Sequence, residues 1–461
     1  MIGVIKQRWH AESGYAAVLK LSLPLILSTS SWSLQQFVDR IFLTWYSPEA
    51  IAASMPAGMA NWTLMSLFFG IAVYVSTFVA QYFGAKQTER IGPAVWQGVY
   101  LAIVTAIAIA PFYFIAPELF ALFGHSAEVA RLEAIYFQVL LFGGPFAVIA
   151  NAASGFFSGL GKTWLVMWVN FAGTFVNLVL DYFMIFGIGG FPEMGIAGAG
   201  WATVIGTIFT AGLFLALMLR RRYDQEYATL RGWRFDPTLF RRLMRYGIPN
   251  GMQFVLEVFA FTIFIFFVGN LGLVPLAASN IAFNISMLAF LPMFGLSMGV
   301  SILVGQHLGD NRPDLAEKAT WSAFHLGFTF FTVLGIGYFL VPKLFLWPFA
   351  AQADPAEFNE IAALTEILLR FVAFYCLFDA GNMVFSGAIK GAGDTRFVAI
   401  ASFGLSWIVL LLPSYLGIYV FDGGIFALWT SVTAYVCSLC FAFLWRFKQG
   451  KWRDMRVIEQ N

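Results

Sequence analysis

Apolar residues in this chain come in long uninterrupted runs, without the strict alternation of a half-buried strand or the narrow stripe of a surface helix. Windows of roughly 20 apolar residues, the length needed to cross a bilayer core as a helix, recur along the whole sequence. They predict twelve spans at 17–46, 51–83, 91–117, 132–157, 163–187, 194–220, 245–271, 276–308, 318–341, 360–389, 395–420 and 424–447. Polar breaks between them are short, apart from one at 221–244. The fold class predicted is an all-α polytopic membrane protein.

Composition agrees with the pattern. Of 461 residues 60% are hydrophobic and only 11% charged, too few charges to clothe a soluble globule of this length. The basic residues are unevenly placed. Lys6, Arg8 and Lys20 precede or open span 1, Lys86 and Arg90 follow span 2, and Lys162 follows span 4. Eight arginines lie at 220–245, Arg312 and Lys318 follow span 8, Lys390 and Arg396 follow span 10, and five basic residues follow Leu444. That places 23 of the 27 Lys and Arg on one face, which the positive-inside rule makes cytoplasmic, with both termini on it. The first apolar run lacks a small-residue cleavage site and reads as a retained span, not a signal peptide. Cys376, Cys437 and Cys440 lie in apolar runs and read as small core residues, forming neither disulfides nor a metal cluster.

The two halves repeat. A shift of 225 residues lays Pro24 on Pro249, Gly70 on Gly295, Ser76 on Ser301, Gln81 on Gln306 and Gly84 on Gly309. After a longer outer loop containing ADPAEFNE the shift becomes 232, laying Gly155 on Gly387, Gly159 on Gly391 and Thr163 on Thr395. Six spans per half make the repeats parallel, related by a pseudo-two-fold axis along the membrane normal. The division expected is an N-lobe at 1–220, a cytoplasmic linker at 221–244 and a C-lobe at 245–461. Within the linker, Asp236 and Pro237 read as the cap and first position of an amphipathic helix with Phe240, Leu243 and Met244 on one side and Arg241, Arg242 and Arg245 on the other. The preceding RRYDQEYATLRG is read equally as a solvated basic linker.

A carboxylate inside a span is costly unless it faces protein or a water-filled cavity. Asp39 lies about 28 Å along its helix from Lys20, Asp181 about 28 Å from Lys162 and Thr203 about 26 Å from Arg220, which puts all three at one level. Asn177 is one turn from Asp181 on the same face. Two carboxylates, an amide and a hydroxyl form an oxygen set for a hard cation; two close acids equally share one proton. The bland alternative has Asp181 capping the outer end of span 5. In the second half Glu257 lies about 18 Å from Arg245 and Asp379 about 16 Å from Lys390, near mid-membrane, with Tyr375 one turn from Asp379. These also read as a buried structural pair. Pro24 marks span 1 as a helix that can bend. Glu366 and Arg370, four apart, read as an ion pair. Arg40, beside Asp39 but about 100° round the helix, need not be its partner, and His325 reads as a core histidine. Gly161, Lys162 and Thr163 mimic the end of a phosphate loop, but Phe156 occupies the required first glycine position and no strand precedes them, so nucleotide binding is rejected.

QQFVDRIFLTWYSPEAIAA in span 1, VAQYFGAKQTERI after span 2, SGFFSGLGKT before span 5 and VGQHLGDNRPDLAEKA after span 8 together resemble the multidrug and toxic compound extrusion (MATE) family over essentially the whole chain. The resemblance implies a secondary antiporter of the bacterial inner membrane that exports organic, often cationic, compounds in exchange for Na+ or H+. It implies a cation site in the N-lobe at Asp39, Asn177, Asp181 and Thr203, which would hold the metal ion if the protein is sodium-coupled, and a second in the C-lobe at Glu257, Tyr375 and Asp379. No cofactor beyond the coupling ion is expected. The partners expected are small organic molecules and membrane lipid, with no nucleic acid or nucleotide, and the protein is expected to be a monomer. Occupation of the Asp39 and Asp181 site would alter the bend at Pro24 and disfavour drug binding. The rivals are a flippase of lipid-linked precursors, which calls for extra spans or a strongly cationic cleft, and a membrane-embedded enzyme or channel; an enzyme would need an acid–base or metal constellation that the sequence does not assemble.

Overall fold

The structure is a computed structural model that describes residues 8–350 and 355–459. Lys6 and part of the ADPAEFNE loop lie outside the described residues. Among the described residues there are twelve helices long and apolar enough to cross a membrane and no strands. They are α1 Tyr15–Tyr46, α2 Pro48–Gly84, α3 Thr88–Ala121, α4 Ala127–Gly159, α5 Thr163–Phe186, α6 Ile196–Met218, α7 Pro237–Gly269, α8 Leu273–Gly309, α9 Pro313–Leu340, α10 Phe358–Ala392, α11 Thr395–Tyr419 and α12 Gly424–Lys448. The all-helical, twelve-span fold class is as the sequence predicts.

Local chemistry sets several boundaries. Ser47 caps α2, its Oγ accepting from the Ala50 N–H at 3.0 Å, with Pro48 in the first turn where its missing donor costs nothing. Gly187 ends α5 in the left-handed conformation at φ 66°, which only glycine adopts freely. In α11, Pro413 has no N–H to offer the carbonyl four residues back. The helix widens to π geometry over Ser406–Leu411, and the Leu412 N–H reaches back to the Trp407 carbonyl.

Packing gathers these helices into two compact units. One comprises the chain up to Ile26 with Leu256–Leu308 and Arg312–Arg456; the other comprises Leu27–Val255, Gly309–Asn311 and the chain from Val457. Division by packing thus differs from division by repeat: each unit includes the first part of a helix whose remainder lies in the other. The contacts responsible are themselves repeated. In the second unit α2 meets α7 backbone to backbone: a Cβ on Gly70 would fall 2.5 Å from the Gly251 Cα, and Asn250 Nδ2 donates to the Gly70 carbonyl at 2.7 Å. In the first unit a Cβ on Gly295 of α8 would fall 2.7 Å from the Ile26 Cα of α1. Gly295 is the repeat partner of Gly70, and Ile26 that of Gly251. Likewise Gly159 packs on the Ser76 backbone, and Gly391 on that of Ser301. Small residues let helices approach closely where lipid gives no hydrophobic drive between them.

The connection 221–236 is not a free solvated linker. It forms a short helix, Arg221–Tyr227, whose Tyr227 is buried, and Lys162 Nζ lies 4.3 Å from the Tyr223 ring centre. Three side chains of α3 hold the stretch between that short helix and α7: Trp96 Nε1 donates to the Thr229 carbonyl at 2.7 Å, Gln97 Nε2 to that of Arg234 at 3.5 Å, and the Tyr100 hydroxyl to that of Trp233. Asp236 then caps α7, accepting from the N–H groups of Thr238 at 2.9 Å and Leu239 at 3.1 Å. The amphipathic segment runs without a break into the span, with Leu239 and Leu243 buried and Arg241 and Arg245 exposed.

The chain's last described residues dock in the second unit. Gln81 Oε1 accepts from the Val457 N–H at 2.8 Å, Tyr82 donates to Glu459 Oε2 at 2.9 Å, and Arg242 pairs with Glu459 at 2.5 Å. In the first unit Ser13 meets His307 at 2.7 Å, Tyr15 meets His325 at 3.1 Å and Glu12 pairs with Arg312 at 2.7 Å, so these histidines have packed partners. Two readings need correction. Glu366 and Arg370 form no ion pair among the described residues; the guanidinium lies 5.7 Å from the Phe339 ring centre instead. Lys390 belongs to the last turn of α10 and not to a loop.

Candidate functional site

In the second unit the C-terminal parts of α1 and α5 and the N-terminal part of α6 bring together the residues that the sequence placed at one level. Close approach of α5 and α6 is made by glycine. A Cβ on Gly206 would lie 3.0 Å from the Asn177 Cβ and 3.3 Å from the Gly173 carbonyl, so the helices touch along a small-residue seam. That seam sets Asn177 beside Thr203: its Nδ2 donates to the Thr203 Oγ1 at 3.4 Å.

Asp39 is 6% exposed, Asn177 1% and Asp181 0%. The Asp39 and Asp181 carboxyl groups face each other within hydrogen-bonding range, with the Asn177 amide beside Asp181. Among the described residues no hydrogen bond of ordinary geometry reaches Asp39 Oδ1, either oxygen of Asp181 or Asn177 Oδ1, the Asn177 amide beside Asp181 donating to Thr203. Buried acceptors are almost always satisfied, and a cluster left without donors costs several kcal/mol unless something positive enters. With only acceptors opposed, the two acids are joined in one of two ways: by a proton carried on one of them, or by a cation between them. Arg40 is exposed on α1 and forms no ion pair with Asp39 among the described residues.

Sequence reasoning missed Tyr136 of α4, which is buried within electrostatic reach of both carboxylates. An aromatic in an apolar run has many other reasons to be there, so no signal singled it out. It also missed Glu133, fully buried at the start of α4 and held by His125 Nδ1 at 2.8 Å.

The first unit holds the other predicted set in a different condition. Asp379 lies within electrostatic reach of Glu257, Tyr375 and Tyr435, and Lys390 within that of Glu257. Here the polar atoms are engaged: Asp379 Oδ1 accepts from Asn382 Nδ2 at 2.8 Å, and the Tyr375 hydroxyl bonds to Ser286 Oγ at 2.9 Å. Glu257 and Asp379 are partly exposed, unlike the sealed pair. Pro24 lies inside α1, which continues as helix on both sides of it.

Comparison with known proteins adds three findings. A family profile described as MatE matches residues 24–183 and 249–416, two stretches that begin at the repeat-related Pro24 and Pro249. The chain is 29% identical over 436 residues to the probable multidrug resistance protein NorM of Pseudomonas syringae pv. tomato, covering 93% of this chain and 94% of that one. It is 25% identical over 454 residues to the protein of the same description from Thermotoga maritima, covering 96% and 94%. Its fold is similar to an outward-facing multidrug resistance MATE family transporter of the MOP superfamily, with TM-score 0.86 at 20% identity over 98% of each chain. The eukaryotic MATE transporter AtDTX14 is also similar in fold, with TM-score 0.84 at 18% identity over 95% and 96%.

Proposed function

The chain belongs to the MatE family, and from that premise we propose that it is a secondary multidrug exporter of the bacterial inner membrane, driven by Na+ or H+ through the sealed site of Asp39, Asn177, Asp181 and Thr203. It is a transporter and not an enzyme. The observation that supports the coupling site is the set of four buried acceptor oxygens that no hydrogen bond reaches among the described residues. A coupling ion stabilises whichever conformation holds that site, and a drug is expelled only if it prefers the other; equal preference would shift nothing.

Glu257, Asp379 and Tyr375 take a supporting role in this reading, since Asp379 and Tyr375 already have hydrogen-bond partners in the protein. The chain-order lobes 1–220 and 245–461 are the two repeats, and the face carrying most Lys and Arg, with both termini, is cytoplasmic. Organic cations are the substrate class proposed.

The test is drug efflux from proteoliposomes under separately imposed sodium and pH gradients. Asp39→Asn and Asp181→Asn should each cut gradient-driven efflux at least about ten-fold, the scale of a typical coupling energy, while Asp379→Asn has the smaller effect. Undiminished efflux in Asp39→Asn would remove the proposed seat of coupling.

A further inference from the structure

The transport reading makes no use of the connection between α6 and α7. It carries eight arginines from Arg220 to Arg245 against three acids. Arg231 is paired with Asp224 at 3.6 Å and Arg242 with Glu459 at 2.5 Å. Arg221, Arg222, Arg234 and Arg241 are exposed and form no ion pair among the described residues. Interleaved with them are three large apolar side chains turned outward: Leu230 at 47% exposure, Trp233 at 58% and Phe235 at 53%.

That arrangement is held in place. Trp96, Gln97 and Tyr100 bind the carbonyls of Thr229, Arg234 and Trp233, and Asp224 closes the turn by accepting from the N–H groups of Leu230 at 2.7 Å and Arg231 at 3.0 Å. The backbone on which the outward side chains sit is therefore ordered before anything binds to them. Both ends of the segment continue into membrane-crossing helices, which keeps it at the bilayer surface. Guanidinium groups match phosphate as bidentate donors, and aromatic side chains at this level settle among headgroups and the first methylenes.

We infer that residues 220–245 are a docking surface for anionic phospholipid, with Arg221, Arg222, Arg234 and Arg241 on the phosphates and Leu230, Trp233 and Phe235 in the acyl boundary. A soluble polyanion would find the same arginines but would leave those apolar groups in water. The leaflet concerned is the cytoplasmic one if the orientation proposed above holds; the lipid preference itself does not depend on that orientation.

The experiment compares purified protein in vesicles of phosphatidylcholine alone and in vesicles containing phosphatidylglycerol, using spin-labelled forms of each lipid to read relative association. Wild type should favour the phosphatidylglycerol label. The combined variant Arg221→Gln, Arg222→Gln, Arg234→Gln should lose that preference, at about five-fold for each arginine removed; the matching triple Lys variant should keep most of it. Unchanged selectivity in the Gln variant, or a soluble polyanion such as heparin bound with no lipid preference, would overturn the inference. Drug efflux measured on the same samples separates the two readings: absence of efflux in every vesicle counts against the transport function, whereas efflux with no phosphatidylglycerol preference counts against the docking surface alone. Thermal stability in neutral detergent should be unchanged in the Gln variant, since the substituted groups are exposed and unpaired.

Discussion

Asp39 and Asp181 are held where two like charges are least comfortable, and among the described residues no hydrogen bond reaches Asp39 Oδ1 or either oxygen of Asp181. In the transport role proposed for it, such a cluster trades stability for function. Replacing one acid by its amide removes the repulsion, so Asp181→Asn should unfold in sodium-free detergent at alkaline pH at the same temperature as wild type or higher, by a margin on the order of 1 kcal/mol. It should also lose the extra stability that wild type gains from sodium or from lower pH. Melting curves with and without sodium at two pH values check this, and an unaltered ion response in the variant would sink it. Glu459 offers a second test at this scale. Burial acts to raise its pKa, but the hydrogen bond from Tyr82 and the nearby Arg242 and Arg90 outweigh it and leave the carboxyl below its ordinary range. A depressed carboxylate stabilises the docked tail fully above the unfolded value, about 4.3, and the contribution is lost as pH falls through the lower folded value. Protease protection of the C-terminal residues should therefore persist at neutral pH and decline in acid, while Glu459→Gln should be unprotected throughout. Asp39 was legible in sequence because a carboxylate in an apolar run has few innocent explanations. Tyr136, next to it, was not, because an aromatic there has many.

At the scale of helices, the repeat is carried by glycine at close crossings. Gly70→Ala and Gly295→Ala each drive a methyl group into a neighbouring backbone, where nothing flexible can move aside; each should destabilise by about 1–3 kcal/mol. Gly58 is inside α2 with nothing within 4 Å of an added Cβ, so Gly58→Ala should be neutral or stabilising by up to about 1 kcal/mol. Thermal unfolding of the three variants tests the contrast, and equal effects would contradict the packing described. The number and approximate limits of the helices were readable from apolar runs alone. Which half of α1 or α7 packs with which unit was not, because such contacts join residues more than 180 positions apart through glycines that carry no periodic signal. The docked course of 221–236 was hidden for a related reason: its anchors are Trp96, Gln97 and Tyr100 of α3, far away in the chain.

For the molecule as a whole, twelve spans and the duplicated family match make the architecture firm. The asymmetric placement of arginine and lysine makes one orientation testable. Single cysteines introduced at exposed Arg222 and at exposed Leu122, on opposite ends of the spans, should differ toward an impermeant maleimide, Leu122→Cys being labelled in intact cells and Arg222→Cys only after permeabilisation. The chain also passes from one compact unit to the other inside two of its own helices, after Ile26 in α1 and after Val255 in α7. Pro24 stands two residues before the first crossing and Pro249 six before the second, each leaving a carbonyl without its usual backbone donor. At both of these crossings the connection is continuous helix, and a proline is where such a helix bends most readily. Stiffening both with alanine should slow turnover while leaving ion binding intact.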